Sequence, residues 1–248
     1  MIIDSHTHLM QQFGYRKGLD IHEHMALLRS GGVDKAVLMT TDGFLGDYKF
    51  HNDLLLESYR AYPDSVIPFC TLNPRDPGAL DELIRCHAAG MRGIKFHPWL
   101  QAFAIVDDMM EPIVQKAVEL DMPIFSHDGT PPYSTSLQVA YWAGRYPKVK
   151  IVLGHGGLRD FAREALLAAK RYENVYLGFC GAIFQMMKDS VKAVGSHRCL
   201  FGSDSPFQGA EYLMYEIQKV KCLGLSKKDE DDILGGNLAR MIGMEVSS

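Results

Sequence analysis

Seven side chains in this sequence have the types and spacings that chemistry needs. They are His6, His8, Lys95, His97, His127, His155 and Asp204. His6 and His8 stand two apart in a β-branched run, so on a strand both imidazoles point to one face. Two imidazoles so placed can chelate one divalent ion. Taken alone, the pair reads better as two hydrogen-bonded histidines. Joined by His127, His155 and Asp204 it reads better as a metal site, with nitrogen and carboxylate ligands of the kind zinc favours and a position open for water. Asp204 can also accept a proton from that water, although alone it would read as a helix cap. Lys95 and His97 share strand parity and should face the same interior. A lysine there can pair with an acid, bind a substrate anion, or be carbamylated and bridge two metals; a plain structural role is equally open. Trp99 and Gln101 follow and are candidate pocket residues. His22 and His24 repeat the two-residue spacing on a helical pattern, where such side chains diverge, and are read as solvated.

The elements that must position these groups recur along the chain. Eight short apolar runs, 1–4 (leading into His6 and His8), 33–39, 66–72, 92–97, 123–127, 150–155, 174–179 and 198–204, show little polar alternation, as strands buried on both faces do. Helical patterns lie between them at 20–30, 52–61, 79–89, 108–120, 134–146, 158–172, 183–194 and 210–222, and a ninth covers 227–242. Gly31-Gly32, Pro63, Gly90 and Pro147 supply stops. His8 to Asp204 spans seven intervals at about 28 residues each, the period of a (β/α)8 TIM barrel. The expected fold is therefore α/β, a single-domain barrel over residues 1–248 with an extra C-terminal helix. An open doubly wound sheet is disfavoured, because no glycine fingerprint follows the first strand. The strand C-termini, where a barrel builds its site, carry His6 and His8, then Thr40-Thr41-Asp42, Asn73, Lys95 and His97, His127, His155, Cys180 and Asp204.

Composition narrows the classes. Of 248 residues 47% are hydrophobic and 23% charged, which excludes a disordered chain, and no stretch is long and apolar enough for a transmembrane helix. The net charge of −4 gives no reason to expect nucleic acid or an anionic membrane as partner. Five cysteines, an odd number without a C-x-x-C pair, and a start lacking signal-peptide features suit a reducing, cytoplasmic setting.

Taken in order, the segments Ile3-Asp4-Ser5-His6-Thr7-His8, Gly93-Ile94-Lys95-Phe96-His97-Pro98, Ile124-Phe125-Ser126-His127, Lys150-Ile151-Val152-Leu153-Gly154-His155-Gly156-Gly157 and Phe201-Gly202-Ser203-Asp204-Ser205-Pro206 resemble the amidohydrolase superfamily. The nearest branch is amidohydrolase-2, the group of aminocarboxymuconate-semialdehyde decarboxylase. The closing Gly235-Gly236-Asn237-Leu238-Ala239-Arg240 is similar to that group's C-terminal helix start. The resemblance spans nearly the whole chain. It implies a distorted barrel with a divalent metal, one zinc per chain or else manganese or a second metal. It makes His6, His8, His127 and Asp204 the metal ligands, and His155 the catalytic histidine beside the metal-bound water. Lys95 is then a substrate-binding or second-metal residue.

Brief loops point to a small, polar substrate. The leading expectation is hydrolysis of an amide, ester or lactone, with Asp204 shuttling the proton and His155 polarising the carbonyl or orienting the water. The alternative is a decarboxylase or hydratase acting on a small unsaturated or aromatic acid, whose carboxylate Arg16, Arg75 or Arg159 would hold. A metal-binding protein without catalysis is the third reading. A homodimer is an expectation by analogy alone.

Overall fold

The computed structural model describes residues 1–13 and 16–245. Among these, eight parallel strands form the barrel: β1 (Ile3–Leu9), β2 (Lys35–Thr40), β3 (Val66–Pro68), β4 (Ile94–Phe96), β5 (Ile124–Ser126), β6 (Ile151–Leu153), β7 (Val175–Gly178) and β8 (Cys199–Leu200). They form two runs, β1-β2-β3 and β4 through β8. Two seams close the ring. Cys70 bridges Ile94 beyond the end of β3. The chain beyond β8 meets β1, with Ser5 N donating to Phe201 O at 3.0 Å and His8 N to Ser205 O at 2.7 Å. Between β1 and β2 a small antiparallel pair, Gln12–Phe13 with Arg16–Lys17, stands outside the barrel.

The ladders stop short of the C-terminal ends of the apolar runs. There the expected strand ends become the loops that carry the site. Helices follow the strands as the pattern implies: α1 (Ile21–Ser30), α2 (Tyr48–Ala61), α3 (Ala79–Ala88), α4 (Glu111–Glu119), α5 (Ser136–Arg145), α6 (Ala162–Arg171), α7 (Phe184–Val194) and α8 (Ala210–Lys221). Helix α2 begins four residues before the expected 52, because Asp47 accepts hydrogen bonds from Lys49 N and Phe50 N and so caps it there. Asp20 with Glu23, and Thr135 with Gln138, form capping boxes on α1 and α5.

Two apolar clusters result. The larger lies between helices and barrel and takes the outward-facing Ile94, Phe96, Ile124, Ile151 and Leu153. The smaller fills the barrel interior with Ile3, Val37, Met39, Ile67, Phe69, Phe125, Val152 and Leu200. Phe69 meets Phe125 edge to face at 5.1 Å and also covers Gly93, where a Cβ would fall 2.2 Å from the ring.

The expected C-terminal helix is present but broken. Lys227–Asp231 and Asn237–Met241 flank a segment, Asp232–Gly236, whose Gly235 has extended backbone. The close packing there requires glycine: a Cβ at Gly235 would sit 2.9 Å from Ile3 Cγ1. The last turn thereby lays Leu238, Ala239 and Met241 against the interior cluster and stoppers the end of the barrel opposite the site. No described helix is long and apolar enough to cross a membrane.

Candidate metal centre and pocket

The β1–β8 seam builds the centre of the site. Asp204 N donates to His6 O at 2.9 Å, and Asp204 adopts φ 64°, a left-handed conformation that costs an aspartate on the order of 1 kcal/mol. The backbone bonds of the seam hold it there. Its Oδ1 lies 3.1 Å from His8 Nε2 and 3.6 Å from His6 Nε2. His6, His8 and Asp204 thus form one group whose ligand atoms lie within 4.8 Å of one another. His6, His155 and Cys180 form another. Among the described residues neither group includes His127. Its ring stacks on His97 at 3.9 Å and 12°, and meets His155 edge-on at 4.4 Å. Lys95 is buried beneath them, its Nζ 2.9 Å from His6 Nε2.

Ring orientations follow from the carbonyls around them. His6 Nδ1 faces Gly154 O at 3.3 Å, and His155 Nδ1 faces Cys180 O at 3.4 Å. A carbonyl oxygen only accepts, so both Nδ1 atoms carry the proton and both Nε2 atoms present a lone pair. His155 can therefore accept from a substrate hydroxyl or bind a cation. In this tautomer Nε2 is an acceptor, which suits the expected role of orienting a water more than that of polarising a carbonyl.

Burial holds these imidazoles neutral. It lowers His6 and His127 well below the ordinary histidine range, with Lys95 adding to the effect on His6 and His155 on His127. It brings His155 to about 4 against the pull of Asp204, and lowers His8 as well. Burial alone would raise Asp204. The hydrogen bond from His8, with the Lys95 ammonium nearby, outweighs it and holds this carboxyl well below the usual range. Burial also lowers Lys95, to about 8, with Asp204 opposing. The result is neutral imidazoles and one carboxylate, the protonation states that metal ligands require.

Two carboxyls that sequence reasoning missed brace the site. Asp4 accepts from His6 N at 3.0 Å, Ser203 N at 3.1 Å and Ser203 Oγ at 2.5 Å, tying β1 to the β8 loop. Asp128 accepts from His155 N at 2.9 Å, Gly157 N at 2.6 Å and Ser136 Oγ at 2.9 Å. Replacing Asp128 with alanine leaves three buried donors unmet, each worth about 1–3 kcal/mol. The expected loss in urea unfolding is roughly 3 kcal/mol, and a loss under about 1 kcal/mol would refute the bracing role. His24 was also missed. His22 is exposed as expected, but His24 is fully buried, with Nε2 3.1 Å from Ser205 Oγ.

The pocket above the centre holds about 210 Å³, below the roughly 300–1,000 Å³ common for larger ligands. Its lining includes His8, His97, His127, His155 and Asp204, with flat or apolar walls from Phe44, Leu100 and Phe207. Thr41 also lines it, with its hydroxyl buried and without a hydrogen-bond partner among the described residues. Trp99 is not part of the lining; it is 54% exposed, its ring 6.2 Å from His97. Gln101 braces the β4 loop, its Oε1 accepting from His97 N and its Nε2 donating to Leu72 O. Arg75 donates to the Gln101 and Ala102 carbonyls, and Arg159 is exposed. The Arg16 side chain lies outside the described residues.

Titration of the site makes a further expectation testable. The depressed histidines, with His24 at about 4 and His97 at about 2 besides those above, take up protons on unfolding that the folded chain refuses. Stability that is full above pH 6.5 is therefore lost as pH falls. Asp4, raised by burial to about 7, and Asp128, raised to about 6, work the other way, since the folded chain holds their protons where the unfolded chain releases them. Six imidazoles outweigh two carboxyls. The Tm of chelator-treated protein should fall from pH 7 to pH 5, and a flat or rising Tm would contradict this balance.

An amidohydrolase family model, of the amidohydrolase-2 type, matches residues 3–244. The chain belongs to the amidohydrolase family. No curated protein matches it. Among solved structures this amidohydrolase is similar in fold to 2,6-dihydroxybenzoate decarboxylase from Rhizobium, at 17% identity over 98% of each chain and a TM-score of 0.79. It is similar to dihydroxybenzoic acid decarboxylase from Polaromonas, bound to manganese and the inhibitor 2-nitroresorcinol, at 17% identity over 99% of this chain and 98% of the other, TM-score 0.80. An uncharacterized TIM-barrel protein from Bordetella bronchiseptica matches at 15% identity over 98% of each chain, TM-score 0.78.

Proposed function

We propose that this amidohydrolase is a metal-dependent carbon–carbon lyase that decarboxylates a small aromatic or unsaturated carboxylic acid. The observation that carries this reading is the pocket itself. It sets the His6–His8–Asp204 group at one side of a small chamber whose other walls, Phe44, Leu100, Phe207 and the His97–His127 stack, suit a flat ring. The sequence placed hydrolysis first and decarboxylation second. The flat apolar walls and the dihydroxybenzoate decarboxylases of the same fold reverse that order.

The donor set fits a divalent ion: neutral imidazoles from β1 and an ionised carboxylate from the loop after β8 converge. His6, His8 and Asp204 would hold it, with His127 as the fourth ligand that the family resemblance implies. When bound, a divalent ion such as manganese would supply positive charge against the substrate's oxygens. The protein's own groups do the rest. His155 Nε2 accepts a hydrogen bond from a substrate hydroxyl and fixes the ring. Asp204 takes a proton from water or from the substrate and returns it to the carbon that loses its carboxyl, so that the substrate's carboxylate form and one proton become the shortened compound and carbon dioxide. Phe44 and Phe207 keep water from the reacting carbon.

The test supplies manganese to purified protein and presents hydroxybenzoic acids in parallel with small esters and lactones. Release of carbon dioxide from an aromatic acid supports the reading. Ester or lactone turnover without decarboxylation of any acid overturns it in favour of hydrolysis.

A further inference from the structure

We propose a second cation seat, formed by His6, His155 and Cys180, that takes thiophilic ions in competition with the His6–His8–Asp204 seat. The inference rests on the reading above, that this centre binds a divalent ion. All three side chains are more than nine-tenths buried, and their ligand atoms lie within 4.8 Å of one another. Cys180 follows β7, and its carbonyl is the acceptor that fixes His155 Nδ1. Gly154 O does the same for His6. Both Nε2 lone pairs are thereby left for an ion. The close approach depends on Gly202, where a Cβ would fall 2.8 Å from that of His6 and 3.4 Å from that of Cys180.

His6 has one lone pair to give, at Nε2, so the two seats exclude each other. Lys95 Nζ, 2.9 Å from that nitrogen, is the donor that an ion in either seat displaces. Ligand softness then decides which seat fills. A carboxylate seat suits manganese, whereas a thiolate selects zinc and its softer relatives. Cys180 loses its thiol proton to solvent as such an ion binds. An ion there also engages His155 and takes it away from substrate, so zinc or cadmium would inhibit while manganese supports turnover.

X-ray absorption at the metal edge tests this on metal-free, full-length protein loaded with a single equivalent of zinc or of manganese. Zinc should show one sulfur neighbour at about 2.3 Å, and manganese only nitrogen and oxygen. Cys180→Ala and Cys180→Ser should both lose the sulfur and weaken zinc by at least roughly tenfold, with manganese affinity kept. Zinc held only by nitrogen and oxygen in the wild-type protein overturns the proposal while leaving the manganese seat intact, and that measurement needs no variant to fold. Failure of both metals to bind would remove the lyase reading along with it.

Discussion

Replacing His6 or His8 with alanine is expected to abolish metal retention and turnover together. On the proposed reading each imidazole supplies one of the few ligands, and the ligands left after its loss cannot close a stable site. Loss of even a supporting group typically weakens a metal about 10–100-fold, and loss of a ligand more. The two positions differ in what else they hold. His6 Nδ1 also bonds Gly154 O, so His6→Ala disturbs the barrel wall as well, whereas the His8 side chain faces the pocket. Elemental analysis after dialysis, alongside circular dichroism to confirm the fold, reads the effect. A folded His8→Ala protein that keeps a full equivalent of metal would exclude His8 as a ligand.

Replacing His155 with alanine, in the manganese-loaded enzyme, is expected to lower kcat by about 10²–10³-fold while metal stays bound. The reasoning separates position from ligation. His155 lines the pocket and its Nε2 is free, but His6, His8 and Asp204 meet without it. A positioned acceptor of this kind acts on the reacting molecule, so kcat should fall more than KM rises. Steady-state kinetics with metal content measured in the same sample decides it. Full turnover in the variant would leave His155 without a catalytic part. Loss of metal would move it into the manganese shell.

Much of this centre could be read before any coordinates, for a physical reason. Side chains alternate along a strand, so His6 with His8, and Lys95 with His97, had to share a side. The repeat of about 28 residues brought the strand ends to one mouth. What could not be read lies where that alternation stops. Asp128 follows β5, and only the turn beyond it aims the carboxyl at His155 N and Gly157 N. Phe44 and Phe207 belong to loops whose paths no periodicity fixes. Asp4 had a signal, its parity with His6, which attention to the imidazoles alone passed over. His24 had one too. The divergence from His22 is real, but buried Met25 and Leu28 mark the inner stripe of α1, and His24 lies on it.

The seam between the first strand and the last has a consequence in time. During synthesis the two histidines of β1 are made among the first ten residues and Asp204 nearly two hundred later. Every pairing between them must wait for that separation to be bridged, the slowest kind of contact a chain can form. A nascent or truncated chain therefore carries the imidazoles but no centre. The constellation comes into being only when the ring shuts, so possession of the site certifies that the whole barrel has been assembled.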